Sequence, residues 1–234
     1  MQIFYAPGIN GDSYMLDEHE SKHCIRVLRM VRGTAVRLID GNGNLYEGTI
    51  SDPDPKKCLI TVSDVKHNFE KRNYRLNLAI SPLKNPERFE WFIEKSVEIG
   101  IDEITPVICK NTEKKSVKRE RIESIIISAM KQSLKALKPV LNEPVNLENF
   151  ISRSSDAVLM IAHCRDSIER SRISDVCRKG QNTIIMIGPE GDFSEEEILS
   201  AIKAGFVPVH LGTSRLRTET AGIAACHSIY FINQ

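Results

Sequence analysis

Two glycine-containing segments, each lying between an apolar run and a helical pattern, constrain this chain more than any other feature. The first is Ile187-Gly-Pro-Glu-Gly-Asp-Phe193, and the second is Leu211-Gly-Thr-Ser-Arg-Leu-Arg-Thr-Glu-Thr-Ala221. In an open α/β sheet, ligands bind outside the carboxyl ends of the strands. We therefore expect the two segments to extend from neighbouring strands and to form one small-molecule site.

Both segments suit a flat ligand that carries no pyrophosphate. Neither contains the glycine pattern of a dinucleotide site or of a P-loop. Gly188, Gly191 and Gly212 allow main-chain groups to approach the edge of a base, and Pro189 stiffens the first segment. Two tight strand–helix turns without a ligand are the alternative. The favoured ligand has a base and a sugar, held between apolar walls.

The bulk properties predict a cytoplasmic protein with free thiols. No apolar run approaches the roughly 18–20 residues that span a bilayer, and the start of the chain lacks a signal-peptide pattern. The six cysteines are scattered and form no C-x-x-C pair, which favours reduced thiols over a disulfide frame or a zinc site. We expect no bound metal and no membrane association.

Two domains are expected, with a boundary near residue 70. Residues 1–70 contain short strand-like runs and the turn sequence Asp-Gly-Asn-Gly-Asn at residues 40–44, which predict a small β module. In residues 71–234, strands alternate with helices, which is typical of a parallel sheet. We expect its strands at residues 76–80, 103–109, 157–162, 183–187 and 206–211.

Capping residues indicate where several helices begin and end. Asp17, Asn85 and Ser194 are predicted N-caps, and Gly100 is a predicted C-terminal glycine. Residues 121–137 have an amphipathic pattern and are expected to form one helix. Gly222 interrupts the last helix, which suggests that its backbone packs closely against a neighbour.

Basic residues are concentrated between residues 110 and 138, a range that contains nine Lys and Arg but only three Glu. Residues 139–234 contain nine Lys and Arg and twelve Asp and Glu. This asymmetry favours a polyanionic partner held by one face. A solvated helix face is an equally good interpretation of the charge alone.

The G-P-E-G segment and the L-G-x-x-x-L-R-x-E-T-A segment together resemble the SPOUT superfamily of S-adenosylmethionine-dependent RNA methyltransferases. Within it, the similarity is to the RsmE-type 16S rRNA uridine-N3 methyltransferases. His23 with Val27-Leu28-Arg29 resembles the family's H-x-x-x-V-L-R element, and residues 95–100 and 132–133 resemble two further family segments.

The resemblance implies a PUA-like β-barrel domain followed by an α/β domain with a trefoil-knotted parallel sheet and helices on both faces. It also implies a homodimer, S-adenosylmethionine as cofactor, and a substrate uridine near the 3′ end of 16S rRNA in the small ribosomal subunit. The implied cofactor-binding residues are His163, Ile187, Gly188, Pro189, Glu190, Gly191, Leu211, Gly212, Ser214, Leu216 and Arg217.

Three residues are candidates for catalysis of methyl transfer to uracil N3. Uracil N3 becomes a nucleophile when it loses its proton, and the resulting charge spreads onto O2 and O4. Arg217 is expected to stabilise that charge, because a guanidinium fork matches a carbonyl–anion edge. Glu219 or Glu190 is expected to accept the proton. Glu219 could instead only stabilise the start of the last helix.

Six basic residues are expected to bind RNA, mostly through phosphates: His23, Arg26, Arg29, Lys131, Lys135 and Lys138. Two positions depart from the family pattern. Asp192 replaces a usual glycine, and aspartate tolerates a positive φ better than most residues. Lys135 replaces a usual arginine, so a bidentate phosphate contact is not expected there. Methylation of another RNA atom and a non-catalytic RNA-binding role are the competing hypotheses.

Overall fold

The structure is a computed structural model that describes residues 1–153 and 155–234. It contains two compact units. The first consists of Met1–Lys71 together with Met130–Lys138, and the second of Arg72–Ala129 together with Pro139–Gln234. Within the described residues, no helix is both long and apolar enough to cross a membrane.

A five-stranded sheet forms the first unit, in the order β1-β3-β4-β5-β2. Its strands are β1 (Ile3–Tyr5), β2 (Ser13–Met15), β3 (Ala35–Ile39), β4 (Leu45–Asp52) and β5 (Leu59–Lys66). The predicted turn joins β3 to β4, and Asp40 Oδ1 accepts the N–H groups of Asn42 and Asn44. Buried side chains such as Phe4, Leu38 and Ile60 form the core of this unit.

One short helical segment belongs to the first unit. Helix α1 (Glu18–Lys22) is capped by Asp17, as expected, and continues into a π-helical turn at His23–Val27. Arg29 then adopts a left-handed conformation with φ of 54°. The side chains of Arg26 and Arg29 are exposed.

A parallel eight-stranded sheet forms the second unit, in the order β11-β13-β10-β12-β6-β7-β8, with β9 also paired to β7. The strands are β6 (Leu76–Ile80), β7 (Glu103–Ile108), β8 (Val140–Leu141), β9 (Val145–Asn146), β10 (Val158–Ala162), β11 (Ser171–Arg172), β12 (Thr183–Ile187) and β13 (Val207–His210). The five main strands fall within one or two residues of the predicted ranges.

The strand order corrects one expectation. Strands β12 and β13, which precede the two glycine-containing segments, are not neighbours, because β10 lies between them. Local sequence signals cannot place β13 beyond β10, since strand order is set by packing over the whole sheet. Pro208 lies in β13, which is an internal strand between β10 and β11. Pro208 pairs with Ile161 of β10, whereas β11 pairs only with Val209 and His210.

Helices cover both faces of the parallel sheet. They are α2 (Pro86–Ile99), α3 (Arg119–Ser133), α4 (Leu147–Ile151), α5 (Ile173–Val176), α6 (Glu195–Lys203) and α7 (Thr218–Ile232). Ala79 of β6 lies in a buried cluster with residues of α4 and α6. The next residue, Ile80, lies beside α2 and α7, and successive strand residues point to opposite faces. The predicted α/β class is confirmed, whereas the trefoil knot stays a prediction.

The local helix signals are confirmed at three positions. The side chain of Asn85 caps α2, Gly100 ends α2 with φ of 118°, and Ser194 forms a capping box with Glu197 at the start of α6. These bonds depend only on residues close in sequence, which explains why they were predictable.

The predicted helix at residues 121–137 is wrong at its C-terminal end. Helix α3 stops at Ser133, because Leu134 adopts a left-handed conformation with φ of 60° and Lys135 N–H donates to Met130 O. This is a Schellman-type end, with leucine where glycine is usual. Lys135, Leu137 and Lys138 therefore lie beyond the helix, and Leu137, the last residue of the predicted range, is 53% exposed.

Gly222 packs closely against α2, as its place in a helix suggested. A Cβ at this position would lie 2.6 and 2.8 Å from two ring carbons of Phe92 and 3.0 Å from Ile80 Cδ1. The neighbour is helix α2 of the same unit. The glycine lets α7 and α2 approach each other on one face of the sheet.

We predict that Gly222→Ala destabilises the protein by about 1–3 kcal/mol through overpacking. This loss outweighs the gain of about 1 kcal/mol in helix propensity. Urea unfolding followed by circular dichroism measures the difference. His227→Ala, an exposed position on the same helix, is the control and should change stability by less than about 0.5 kcal/mol. Unchanged or higher stability of Gly222→Ala would show that Phe92 can move aside at little cost.

Candidate functional site

Three parallel strands of the second unit end at the same level. Ala162, the last residue of β10, pairs with Ile187 of β12 on one side and with Val209 of β13 on the other. The connections that follow are loop 1 (residues 188–193), the β10 turn (residues 163–165) and loop 2 (residues 211–217). Since neighbouring strands lie about 4.8 Å apart, the β10 turn lies between the two loops at the edge of the sheet.

Loop 1 contains glycines for reasons of packing. A Cβ on Gly188 would lie 3.0 Å from the ring of Phe193, and a Cβ on Gly191 would lie 3.3 Å from Asn111 Cβ. Neither residue has a positive φ, whereas Asp192 does, at 62°. Ile187, Gly188 and Pro189 are buried. The predicted tolerance of Asp192 for this backbone conformation is confirmed.

The Asp192 carboxylate joins loop 1 to the β10 turn. Its Oδ2 accepts the N–H of Cys164 at 2.9 Å, and its Oδ1 accepts the N–H of Phe193 at 2.8 Å. Asp192 N–H donates to Pro189 O at 2.9 Å, which closes the turn within loop 1. This residue therefore sets the spacing between two walls of the site, a role that sequence reasoning missed.

Two further residues hold loop 1 from the ends of neighbouring strands. Asn111, which follows β7, donates its Nδ2 to Gly191 O at 3.3 Å and to Asp192 O at 3.0 Å. Lys84, which follows β6, donates its backbone N–H to Glu190 Oε1 at 3.1 Å. Sequence reasoning missed both. A polar residue directly after a buried strand was the only available signal, and it occurs at many loops.

His163 presents a buried nitrogen without a partner. Its side chain is 4% exposed, and its Nδ1 accepts the N–H of Arg165 at 3.2 Å. The proton of the neutral ring is thereby assigned to Nε2, which has no partner among the described residues. Burial lowers the pKa of His163 below its ordinary value, and Arg170 and Arg165 lower it further against the opposing effect of Asp192. A neutral imidazole donor is therefore available to an acceptor atom of a ligand.

Loop 2 leads from β13 into α7. Gly212 has φ of 109°, which requires glycine, and its N–H donates to His210 Nδ1 at 3.2 Å. Leu211 and Leu216 are half-buried, whereas Ser214 is exposed. Arg217 is the N-cap residue of α7; its side chain is exposed and forms no ion pair within the described part of the chain. A guanidinium is thus free at the end of this loop.

The two candidate proton acceptors have different surroundings. Glu219 is 6% exposed, with Oε1 at 3.8 Å from Arg88 Nε and with Oε2 lacking a partner among the described residues. It lies in the first turn of α7, where a negative charge is favourable. Glu190 is exposed, and its Oε1 is occupied by the Lys84 N–H.

A family model described as RNA methyltransferase domain matches residues 70–230. The chain belongs to the RNA methyltransferase family. A second model, described as RNA methyltransferase PUA domain, matches residues 16–63. This match confirms the expected PUA-like N-terminal domain.

Relatives and solved structures agree with this membership. The ribosomal RNA small subunit methyltransferase E of Mesomycoplasma hyopneumoniae is 36% identical over 177 residues, which cover 73% of this chain and 75% of that protein. A probable rRNA-methyltransferase from Porphyromonas gingivalis superimposes with a TM-score of 0.94 at 42% identity, covering 100% of this chain and 98% of that one. The structure of the ribosomal RNA small subunit methyltransferase E of Neisseria gonorrhoeae, bound to S-adenosyl methionine, superimposes with a TM-score of 0.90 at 26% identity. The match covers 100% of this chain and 98% of that one. The predicted resemblance to this family is confirmed.

All six predicted RNA-binding residues lie in the first unit of this methyltransferase. Lys131 Nζ lies 2.5 Å from Glu20 Oε1, with both side chains largely buried. Lys135 Nζ lies 3.4 Å from Glu70 Oε2. These contacts partly neutralise two of the lysines. Arg26 and Arg29 are exposed and His23 is half-buried.

No group of three or more His, Cys, Asp or Glu side chains within residues 1–153 and 155–234 is arranged to hold a metal ion. The carboxylates of loop 1 instead bond to backbone N–H groups. The groups that this site offers to a ligand are therefore main-chain groups and the side chains of His163 and Arg217.

We predict that Asp192→Gly destabilises the protein by about 1–3 kcal/mol, because two bonds to a charged acceptor are lost. Asp192→Ala loses the same bonds and in addition strains a left-handed backbone, at a further cost of about 1–2 kcal/mol. Urea unfolding ranks the variants, and amide hydrogen exchange reports whether Cys164 loses protection. If Asp192→Gly has wild-type stability and Cys164 is still protected, the two hydrogen bonds of the Asp192 carboxylate contribute nothing to stability.

Proposed function

We propose that this protein transfers a methyl group from S-adenosylmethionine to N3 of a uridine in 16S rRNA. The observation that carries the proposal is the convergence of loop 1, loop 2 and the β10 turn at the ends of three aligned strands. The similarity to small-subunit rRNA methyltransferases E, one of them bound to S-adenosyl methionine, supports the donor and the substrate class.

The residues of the site fit the proposed donor. The buried Nε2 of His163 lacks a partner within the described residues and would gain one from an acceptor atom of the ligand. Leu211 and Leu216 are apolar and half-buried, as suits a wall beside a base. Main-chain groups of Gly188 and Gly212 would contact its edges. The bound donor supplies an activated methyl group on a positively charged sulfur.

Arg217 is the proposed catalytic residue for charge stabilisation. The uracil anion carries charge on O2 and O4, and a guanidinium can contact both an oxygen and the neighbouring nitrogen edge. The side chain is exposed, with no competing ion pair within the described part of the chain. It also extends from the start of α7, where the helix dipole favours a negative charge. Both effects would stabilise the anion before methyl transfer.

Glu219 is the better proposed proton acceptor, because its Oε2 has no partner among the described residues while Glu190 Oε1 holds a backbone N–H. A role for Glu219 only in stabilising the start of α7 is the competing interpretation. N3 lies on the Watson–Crick edge of uracil, so the target base must be unpaired when it reaches the site.

The remaining parts of the proposal concern assembly and RNA binding. We propose a cytoplasmic homodimer with a trefoil-knotted second domain and a domain boundary near residue 70. His23, Arg26 and Arg29 of the first domain would contact RNA phosphates, with Lys135 and Lys138 as weaker contributors. Lys131 is less suited, because its ammonium is paired with Glu20.

Primer extension on small ribosomal subunits that lack the modification tests the proposed reaction. After incubation with protein and S-adenosylmethionine, reverse transcriptase should stop at one uridine, because an N3 methyl blocks base pairing. Full-length product with methyl groups incorporated would place the reaction at another atom, such as a ribose 2′-oxygen. Donor binding without any methyl incorporation would favour a non-catalytic RNA-binding factor.

We predict that Arg217→Ala lowers kcat by about 10²–10³-fold, as expected for the loss of one group that stabilises an oxyanion. The Kd for S-adenosylmethionine, measured by calorimetry, should stay near the wild-type value. Arg215→Ala removes an exposed cation from the same loop and is the matched control, with little effect expected on kcat. An equal loss of donor binding and turnover in Arg217→Ala would show that Arg217 binds the cofactor instead.

A further inference from the structure

A second concavity lies in the methyltransferase unit, outside the site formed by the two loops. It is an open, shallow cleft whose empty volume, including the solvent-filled mouth, is about 350 Å³. The walls are mainly apolar and the rim carries lysines. Six residues represent the apolar walls: Pro82, Leu83, Pro86, Phe89, Val117 and Ile122.

Both walls of the cleft begin in segments that are hydrogen-bonded to β12 or loop 1. After β6, Ser81 N–H donates to Ile187 O at 3.0 Å and Lys84 N–H donates to Glu190 Oε1. After β7, Asn111 Nδ2 donates to the carbonyl oxygens of Gly191 and Asp192. The cleft is therefore at the same edge of the sheet as loop 1, on the β6 and β7 side.

The charged residues that line the cleft are Lys114, Lys118 and Glu90, and Glu90 is paired with Arg121. Lys114, Lys115 and Lys118 form no ion pair within the described residues, whereas the nearby Lys84 and Arg121 are paired with Glu113 and Glu90. Lys114 and Lys118 also line the cleft. This part of the basic stretch thus keeps free cations beside an apolar cavity.

We propose that this cleft binds an unpaired nucleotide of the substrate RNA, with its base between the apolar walls and its phosphates at Lys114 and Lys118. Single-stranded RNA is held in this manner, by apolar contact with base faces and by cations along the backbone. The Ser116 hydroxyl at the rim can donate to or accept from a base edge. A neutral or basic protein segment would leave these lysines uncompensated, whereas the phosphates of RNA supply the opposite charge.

The proposal rests on the proposed function, since it deepens the recognition of RNA by the same protein. The sequence analysis placed all predicted RNA contacts in residues of the first unit. The proposed cleft adds a contact at residues 114–118 of the second unit. Those residues belong to the basic stretch that the sequence singled out, but none was among the predicted RNA-binding residues. A nucleotide held there would lie beside loop 1 of the methyl-transfer site.

The salt dependence of RNA binding tests the cleft. A fluorescein-labelled short oligouridine is titrated with wild type, with Lys114→Ala/Lys118→Ala, and with Lys179→Ala/Lys203→Ala. The last variant removes two exposed lysines from the same unit and has the same net charge as the test variant. Loss of two phosphate contacts should make the slope of log K against log salt shallower by about 1.4, at about 0.7 per contact for a single strand. The control variant should keep the wild-type slope.

An unchanged slope in the test variant, or an equal change in the control, would overturn the proposal. Wild-type thermal unfolding of the test variant establishes that it is folded. A changed elution volume in size-exclusion chromatography with an unchanged slope would mean that a second copy of the chain covers the cleft, which also overturns the proposal.

Photocrosslinking with 4-thiouridine oligonucleotides tests the position of the base directly. Crosslinks in the peptides containing Leu83 or Val117 support the cleft, and they do so even if methyl transfer to N3 fails. Crosslinks confined to the peptides containing Arg26 and Arg29 would contradict it, even if methyl transfer succeeds. Val117→Asp should abolish a crosslink in the cleft while leaving the Kd for S-adenosylmethionine unchanged.

Discussion

The alignment of three parallel strands positions the site that we propose for methyl transfer. Because Ala162 is level with both Ile187 and Val209, the connections after β10, β12 and β13 begin at one height on the sheet edge. Buried apolar residues on both faces of β10 and β12 fix that register, since a shift of one residue would turn their side chains to the opposite face. The site is consequently a product of sheet packing, and its loops contribute the specific atoms.

Polar contacts then give the edge a defined shape. Asp192 joins loop 1 to the β10 turn, and Asn111 holds loop 1 from the end of β7. These bonds leave His163 Nε2 as a buried donor and Arg217 as an exposed guanidinium. A preorganised arrangement of this kind suits a reaction whose main requirements are in-line positioning and stabilisation of an anion. The cleft that we propose for RNA lies at the same edge, beside β6 and β7.

Local signals in the sequence predicted much of the fold. Strands β6 and β12 match their predicted ranges, because each is a short apolar run between polar residues. Capping at Asn85 and Ser194 was predictable because each cap bonds to a residue two or three positions further along the chain. The position of β10 between β12 and β13 was not, because it depends on contacts between distant segments. The pairing of Lys131 with Glu20 also joins distant positions, so a residue assigned to RNA is instead engaged within the protein.

We place the donor at the ends of β10, β12 and β13, and amide chemical shifts of the isotope-labelled protein test this placement. Titration with S-adenosylmethionine should move the signals of Gly188, Gly191, Cys164 and Gly212 together, with one saturating affinity. Shifts confined to other parts of the molecule, with these four signals unchanged, would contradict it.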